Sequence, residues 1–168
     1  MRVVFWLPFA YCIVSRVAEL FLSRRNEARA IAAGGFHVKP DGTRLLLAVH
    51  ILWFVGLVVE ECTVGSQGWP VGALVAFGAL AAASELARIV CLGVLGERWT
   101  VGVVVWPGLP LVRTGPYRFL DHPNYLTAAA VLVALPLALG LPWVAATIVP
   151  LKFWAVRRRI AIEDRALR

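Results

Sequence analysis

Charged side chains are scarce in this chain. Only 16% of its 168 residues are Asp, Glu, Lys or Arg, whereas a typical soluble domain carries about 25%. Hydrophobic residues make up 60% of the chain, and a water-soluble protein of this length could not bury so much apolar surface. The composition therefore predicts an integral membrane protein.

Cysteine is also rare, with three residues at Cys12, Cys62 and Cys91. They form no CxxC pair, and each lies within or at the edge of an apolar segment, as small packing residues do. We therefore expect neither a disulfide nor a metal site. The chain also has no internal repeat, which gives little support to a transporter built from inverted repeats.

Long hydrophobic runs, in contrast, are abundant. A spanning helix needs about 20 apolar residues, and the last run is too long for one upright span, so we divide it at Pro136 and at the Gly140, Leu141, Pro142 turn. The predicted fold is an all-α integral membrane protein with five transmembrane helices, the last two forming a helical hairpin, in one domain. The apolar runs cover residues 3–22, 44–63, 71–95 and 125–156.

The basic residues predict the orientation in the membrane. Thirteen of the 17 Lys and Arg residues lie in the connection between the first two spans, in the connection between spans three and four, and in the tail. The loops 63–70 and 140–142 contain none. The positive-inside rule then predicts that the amino terminus lies outside and the carboxyl terminus in the cytoplasm. The expected location is the inner membrane of a bacterium. A basic face against membrane lipids explains the net charge of +7, and no nucleic-acid partner is expected.

Two acid–base pairs lie inside the first and third predicted spans. Arg16 and Glu19, and likewise Glu85 and Arg88, are three residues apart and share a helical face, so each pair can neutralise itself. Charges within a membrane also occur in transporters, which leaves a small transporter or a non-catalytic scaffold as an alternative. We interpret His37 and His50 as structural residues.

The polar groups cluster in the segment 96–124 and in the tail. Residues 121–125 enter a helix, with Pro123 suited to its first position, Asp121 or His122 to its cap, and free N–H groups to an anion. Gly115 would allow close approach of a ligand. In the tail, Arg159 and Glu163 share one helical face. Taken separately, these are a capped helix start and a helix held to anionic headgroups.

Together, these two segments resemble a known family. The string LPLVRTGPYRFLDHPNYL at 109–126, followed by RRRIAIEDRAL at 157–167, is similar to the isoprenylcysteine carboxyl methyltransferases, whose relatives include membrane phospholipid methyltransferases. The strings RRNEARAIAAGG and GERWT look like the short bacterial branch. The resemblance implies an S-adenosylmethionine-dependent methyltransferase with a cytoplasmic cofactor pocket and a catalytic part at about 96–168.

The resemblance also implies roles for individual residues. Arg159 would position the substrate. Two positions depart from the family: Asp121 stands where Arg is usual, and Val131 stands where many members have Glu, and both bear on the substrate. The residues that would bind the cofactor are Leu109, Pro110, Leu111, Val112, Tyr117, His122, Pro123, Asn124, Tyr125 and Glu163.

The methyl acceptor stays open between two kinds of lipophilic molecule. One is the carboxylate of a prenylcysteine-like substrate, and the other is a phenolic or enolic oxygen of a lipid-like polyketide. An NADPH-dependent sterol-type reductase is the alternative enzyme, because such reductases share an HPNY-like motif. It is disfavoured because the chain is short and has no glycine-rich phosphate loop. The oligomeric state is not predicted.

Overall fold

The computed structural model describes residues 3–167, which form five α-helices and one short antiparallel ladder. Short 3-10 turns occur at Gly96–Arg98 and Gly115–Arg118. In chain order the elements are α1 (Val3–Ala32), β1 (Phe36–His37), α2 (Thr43–Thr63), α3 (Val71–Leu95), β2 (Val104–Val105), α4 (Pro123–Ala138) and α5 (Pro142–Leu167).

Three of the helices in the described part of the chain, α1, α2 and α3, are long and apolar enough to cross a membrane. Helix α4 is apolar but has only 16 residues, which at 1.5 Å per residue is about 24 Å against a hydrocarbon core of about 30 Å. Helix α5 has 26 residues and becomes strongly charged towards its carboxyl end. The chain is therefore a mainly helical integral membrane protein with at least three candidate spans.

The centre of the bundle is organised around a proline. Pro136 lies inside α4 and has no N–H, so the carbonyl of Leu132, four residues earlier, loses its usual helical partner. The buried indole of Trp53 on α2 donates its Nε1–H to this carbonyl at 3.1 Å. In an apolar surrounding a free carbonyl is costly, so the bond between Trp53 and Leu132 both satisfies α4 and fixes it against α2.

The buried charges form a network between helices rather than two separate pairs. Arg16 on α1 contacts Glu19 at 3.0 Å, as predicted, and also contacts Glu85 on α3 at 2.8 Å. Arg88 on α3 contacts Glu19 at 2.6 Å. The prediction that these buried charges neutralise one another is confirmed. The predicted pairing of Glu85 with Arg88 is wrong, because each of these residues pairs with a residue of α1. The network joins α1 to α3.

At the far end of the bundle, one acidic side chain caps the amino terminus of α5. The carboxylate of Glu60, the buried residue near the end of α2, accepts the backbone N–H groups of Trp143 at 3.0 Å and Val144 at 2.7 Å. These are among the N–H groups that the first turn of a helix leaves unpaired. Next to it, Gly140 has a φ of 73° and a Cβ there would lie 2.8 Å from the carbonyl oxygen of Gln67, so this turn requires glycine.

The opposite end, which we call the loop side, contains the connections α1–α2 and α3–α4 and the carboxyl end of α5. The amide of Asn26 on α1 donates to the carbonyls of Gly96 at 3.1 Å and Trp99 at 2.8 Å. The ladder pairs Phe36 with Val105 and His37 with Val104. The ladder was not predicted, because two residues are too few for the alternation that reveals a strand.

Candidate functional site

A cavity on the loop side, which we call the first cavity, is lined by the α3–α4 connection, the start of α4 and the end of α5. It brings together nine of the ten residues that the resemblance assigned to the cofactor. The exception is Pro123, which is buried at the first position of α4 and thus starts the helix instead of lining the cavity. The nine are Leu109, Pro110, Leu111, Val112, Tyr117, His122, Asn124, Tyr125 and Glu163.

Two successive acidic residues of α5 form one wall of the first cavity. Glu163 accepts a hydrogen bond from the Tyr125 hydroxyl at 2.7 Å, and Asp164 lies 3.0 Å from Nε2 of His122. Both partners come from the first two turns of α4 or the residue before it, so these bonds attach the end of α5 to the start of α4. Residues 38 and 42 positions apart in the chain thus present carboxylate, phenol and imidazole groups to one space.

Arg159 is placed differently from these residues. Its side chain is 2% exposed and is not among the groups that line the first cavity. The guanidinium donates to the carbonyl of Asp41 at 2.6 Å, the Thr43 hydroxyl at 2.9 Å and the carbonyl of Val101 at 2.8 Å. Its Nε also donates to the Tyr125 hydroxyl at 3.2 Å. Arg159 thereby holds three segments together, and its assignment to the substrate stays a prediction.

Asp41 is the acidic partner of Arg159 and connects two loops. Its carboxylate accepts the backbone N–H and hydroxyl of Thr43 at 3.0 and 2.7 Å and the N–H of Val103 at 3.2 Å. Burial raises the pKa of this carboxyl, but those hydrogen bonds and the charge of Arg159, 3.3 Å away, outweigh burial and lower the pKa to about 2. Asp41 is therefore ionised at any physiological pH.

Asn124 connects the first cavity to the buried ionic network. Its side-chain oxygen accepts a hydrogen bond from Arg88 at 2.9 Å, while the residue also lines the cavity. Arg88 in turn is paired with Glu19. The sequence singled out Asn124 and Arg88 separately, but it gave no sign that they are in contact.

Tyr117 has an unsatisfied hydroxyl beside the first cavity. The residue is 7% exposed, and its buried oxygen has no hydrogen-bond partner among residues 3–167. Burial raises the pKa of this phenol, with further contributions from Cys91 and Glu163. A buried polar group normally has a partner, so this oxygen, which solvent does not reach, has unused hydrogen-bonding capacity beside the first cavity.

Gly115 does not play the part predicted for it. It is not among the lining residues, its φ is 54°, and a Cβ there would lie 3.0 Å from a methyl of Val94 on α3. The close approach that needs glycine is therefore to a helix and not to a ligand. This approach seats the turn that carries Tyr117.

The departure at Asp121 has a local explanation. Its carboxylate lies 2.6 Å from the guanidinium of Arg113, and both side chains are about half exposed. His122, not Asp121, occupies the position before the first turn of α4, and its side chain makes no capping bond. The negative charge of Asp121 is thus compensated at the rim of the first cavity.

Several lining residues were missed by the sequence reasoning. Trp99 and Thr100 belong to GERWT, which was noted only as a family-like string, and Glu97 and Arg98 precede them. Trp106 and Asp164 carried no signal of their own beyond lying in the polar segments. The residues missed are Ala30, Leu95, Glu97, Arg98, Trp99, Thr100, Gly102, Val103, Val104, Trp106, Arg113 and Asp164, whereas Asp121, which also lines the cavity, was singled out as a departure from the family.

Comparison with known proteins gives a family. The chain is 31% identical over 136 residues to the uncharacterized protein YpbQ of Bacillus subtilis, covering 80% of this chain and 79% of that one. It is 23% identical over 163 residues to an uncharacterized protein of Haemophilus influenzae, covering 96% and 93%. No solved structure matches. The profile of the isoprenylcysteine carboxyl methyltransferase (ICMT) family matches residues 75–168, which include the carboxylate wall, Tyr117 and Asn124, and the chain therefore belongs to this family of methyltransferases.

Proposed function

We propose that this protein transfers a methyl group from S-adenosylmethionine to an oxygen of a lipophilic acceptor. The observation that carries the proposal is the first cavity, in which residues from 109–125 and Glu163 meet beside apolar helices. A lipid acceptor needs a site at the boundary of the membrane, whereas a charged cofactor needs a polar one. This boundary offers both.

The residues of the first cavity suit the cofactor. Glu163 can accept hydrogen bonds from ribose hydroxyls, and the unsatisfied Tyr117 hydroxyl can donate or accept one more. Trp99 and Trp106 provide aromatic walls suited to adenine, and Arg98 provides a cation for the cofactor carboxylate. When bound, the cofactor would supply its methyl group to the acceptor oxygen and leave as S-adenosylhomocysteine.

The protein's own contribution is positioning. Holding two reactants in a productive arrangement can contribute about 7–11 kcal/mol to catalysis. Arg159 makes no contact with the first cavity but donates to Tyr125, whose hydroxyl donates to Glu163. We assign Arg159 as a positioning residue that fixes this chain of bonds, in place of a direct contact with substrate.

The proposal includes a topology. Helices α4 and α5 would form a helical hairpin and complete five spans. Because α4 is short, the α3–α4 connection would supply the rest of the fourth crossing. The loop side holds most of the basic residues, so it would face the cytoplasm of a bacterial cell and the amino terminus would lie outside. Reporter fusions at the two termini test this orientation, and equal accessibility of both from the periplasm would contradict it.

Cofactor binding is the first test. Calorimetry on the purified protein in detergent should show binding of S-adenosylmethionine and no binding of NADPH. Glu163→Ala should weaken cofactor binding about tenfold or more, because a charged hydrogen-bond acceptor is lost. Glu61→Gln, an acidic residue at the other end of α2, is the control and should bind as the wild type does. Equal affinity in wild type and Glu163→Ala would refute the site.

The methyl acceptor can be identified by following a labelled methyl group from the cofactor to a membrane lipid. Membranes that contain the protein are incubated with methyl-labelled cofactor, and the labelled lipid is identified by mass spectrometry. Membranes with Glu163→Ala provide the background. Label on an amine of a phospholipid, with none on oxygen, would overturn the proposal of an oxygen acceptor.

A further inference from the structure

A second cavity lies deeper among the helices, and the cofactor assignment does not use it. Its walls come from α1, α2, α3 and α4, and its polar lining consists of Arg16, His50 and Arg88. Trp53, Phe54, Val131 and Leu132 supply apolar walls, and Cys12 also lines the cavity. The space is about 20 Å³, which is room for a single oxygen atom of a ligand and not for a larger head group.

The polar lining of the second cavity is made of hydrogen-bond donors. Arg16 and Arg88 have only donors. Nδ1 of His50 lies 2.9 Å from Nζ of Lys152, which also donates to the carbonyl of Leu46 at 3.3 Å. A charged lysine has no acceptor, so His50 accepts at Nδ1 and carries its proton on Nε2, where it is a donor as well. The indole N–H of Trp53 is already bonded to Leu132.

The charge around the second cavity favours an anion. Three cations surround it, namely Arg16 and Arg88 in the wall and Lys152 behind His50. Two carboxylates, Glu19 and Glu85, are bonded to the two arginines. One positive charge is left over in an apolar environment, where an uncompensated charge is expensive. A ligand with one negative oxygen would balance the group.

The second cavity also lies next to the first. Arg88 lines the second cavity and donates to Asn124, which lines the first. Along α4, Ala128 in the wall of the second cavity follows Asn124 by one helical turn, which is about 6 Å. Arg159 donates four hydrogen bonds, to Tyr125, Asp41, Thr43 and Val101, and so has one N–H group to spare. Arg88 donates three and keeps two N–H groups, while Arg16 donates from Nη2 alone.

We propose that the second cavity is the acceptor site, and that Arg16, Arg88 and His50 bind an anionic oxygen of the lipid acceptor there. The inference rests on the proposed function and narrows it. The acceptor would be an oxygen acid, either a carboxylate or a phenolate or enolate, and not an amine. Lys152 is a positioning residue, because it acts by fixing the tautomer of His50.

The test uses four ligands that share a 16-carbon chain and differ in the head: hexadecanoate, 4-hexadecylphenol, hexadecanol and hexadecylamine. Binding of radiolabelled ligand to the full-length protein is measured without cofactor. Hexadecanoate or hexadecylphenol should bind about tenfold or more tighter than the other two, as expected for a charge-assisted hydrogen bond. The tighter of the two identifies the kind of oxyanion. Equal or tighter binding of the alcohol or the amine would overturn the proposal.

Two matched pairs of variants test the residues. Cys12→Asp and Cys12→Asn have nearly the same size, but only the first adds a negative charge beside Arg16 in the cavity wall. His50→Leu removes the donor, whereas His50→Gln keeps both a donor and an acceptor for Lys152. Cys12→Asp and His50→Leu should weaken oxyanion binding about tenfold, and their partners less than about threefold. Equal losses within each pair would show a merely structural effect and overturn the assignment.

Cofactor affinity separates this proposal from the proposed function. These four variants should bind S-adenosylmethionine as the wild type does, because neither residue lines the first cavity. If the wild type bound no cofactor but showed the oxyanion preference, the methyltransferase proposal would fail and the anion site would stand. If cofactor bound and the oxyanion preference were absent, only the acceptor site would fail.

Discussion

Replacing Arg159 by Gln should destabilise the whole loop side. The guanidinium is 2% exposed and bonds to residues of the α1–α2 connection, the α3–α4 connection and α4. Gln can replace one of these bonds at most. Because the three segments line or support the first cavity, the loss of stability should be accompanied by weaker cofactor binding.

The expected loss of stability depends on how well Asp41 is compensated once Arg159 is gone. Removing one partner of a buried ion pair costs about 3–5 kcal/mol when the remaining charge has no compensation. Asp41 keeps three donors, from Thr43 and Val103, and its side chain is 19% exposed, so we expect the lower end, about 3 kcal/mol. For a chain of this size that corresponds to a fall of about 6–12 °C in the melting temperature.

The assay is thermal unfolding in detergent, followed by tryptophan fluorescence. Arg158→Gln is the control, because the Arg158 side chain is exposed and its guanidinium lies 5.0 Å from the centre of the Trp154 ring. This variant should lower the melting temperature by less than about 3 °C. When Arg159→Gln is combined with Asp41→Asn, the loss of stability should be about 1–2 kcal/mol smaller than the sum of the two single losses. An Arg159→Gln protein that melts like the wild type and only raises the acceptor KM would refute this reasoning and place Arg159 at the substrate.

Three further predictions concern single groups. The folded-state pKa of Asp41 is about 2 against an ordinary value of 3.8, so its stabilisation, about 2 kcal/mol, is complete above about pH 5 and is lost as the pH falls through about 2. Asp41→Asn should flatten this part of a stability–pH curve, and an unchanged curve would contradict the prediction. Glu60→Gln places an NH₂ near the N–H groups that begin α5 and should cost about 1–3 kcal/mol in thermal unfolding, whereas no loss would show that this cap is unimportant. Tyr117→Phe removes an unsatisfied hydroxyl, so the melting temperature should stay or rise while cofactor binding weakens about tenfold in calorimetry; unchanged affinity would remove Tyr117 from the cofactor site.

The sequence determined the broad features because they depend on composition and local pattern. Apolar runs predicted α2 as 44–63 and α3 as 71–95, and the structure has Thr43–Thr63 and Val71–Leu95. These boundaries are local, since proline, glycine and polar residues end each run. The strings at 109–126 and 157–167 likewise predicted the family and nine residues that line the first cavity.

Only the tertiary structure decided which distant groups meet. Spacing along one helix suggested that Glu85 pairs with Arg88, but helix packing gives each a partner on α1 instead. Pro136 was expected to divide the last apolar run, but it lies inside α4 and the helix ends after Ala138. The carbonyl of Leu132 that it frees is satisfied by the Trp53 indole, 79 residues away. Such contacts have no local signature, because two side chains from different helices meet only through the packing of the bundle.

The sequence alone therefore determined that this is a membrane protein. Exposing polar groups to lipid is costly, and the chain has few charged residues to expose. The fold decided which partner each charged residue contacts. Arg159 could be marked as important from its place in a motif, but only its contacts with Asp41 and Val101 show that it joins loops. In an apolar interior each charge needs a partner, and the three-dimensional arrangement of the helices decides which partner is within reach.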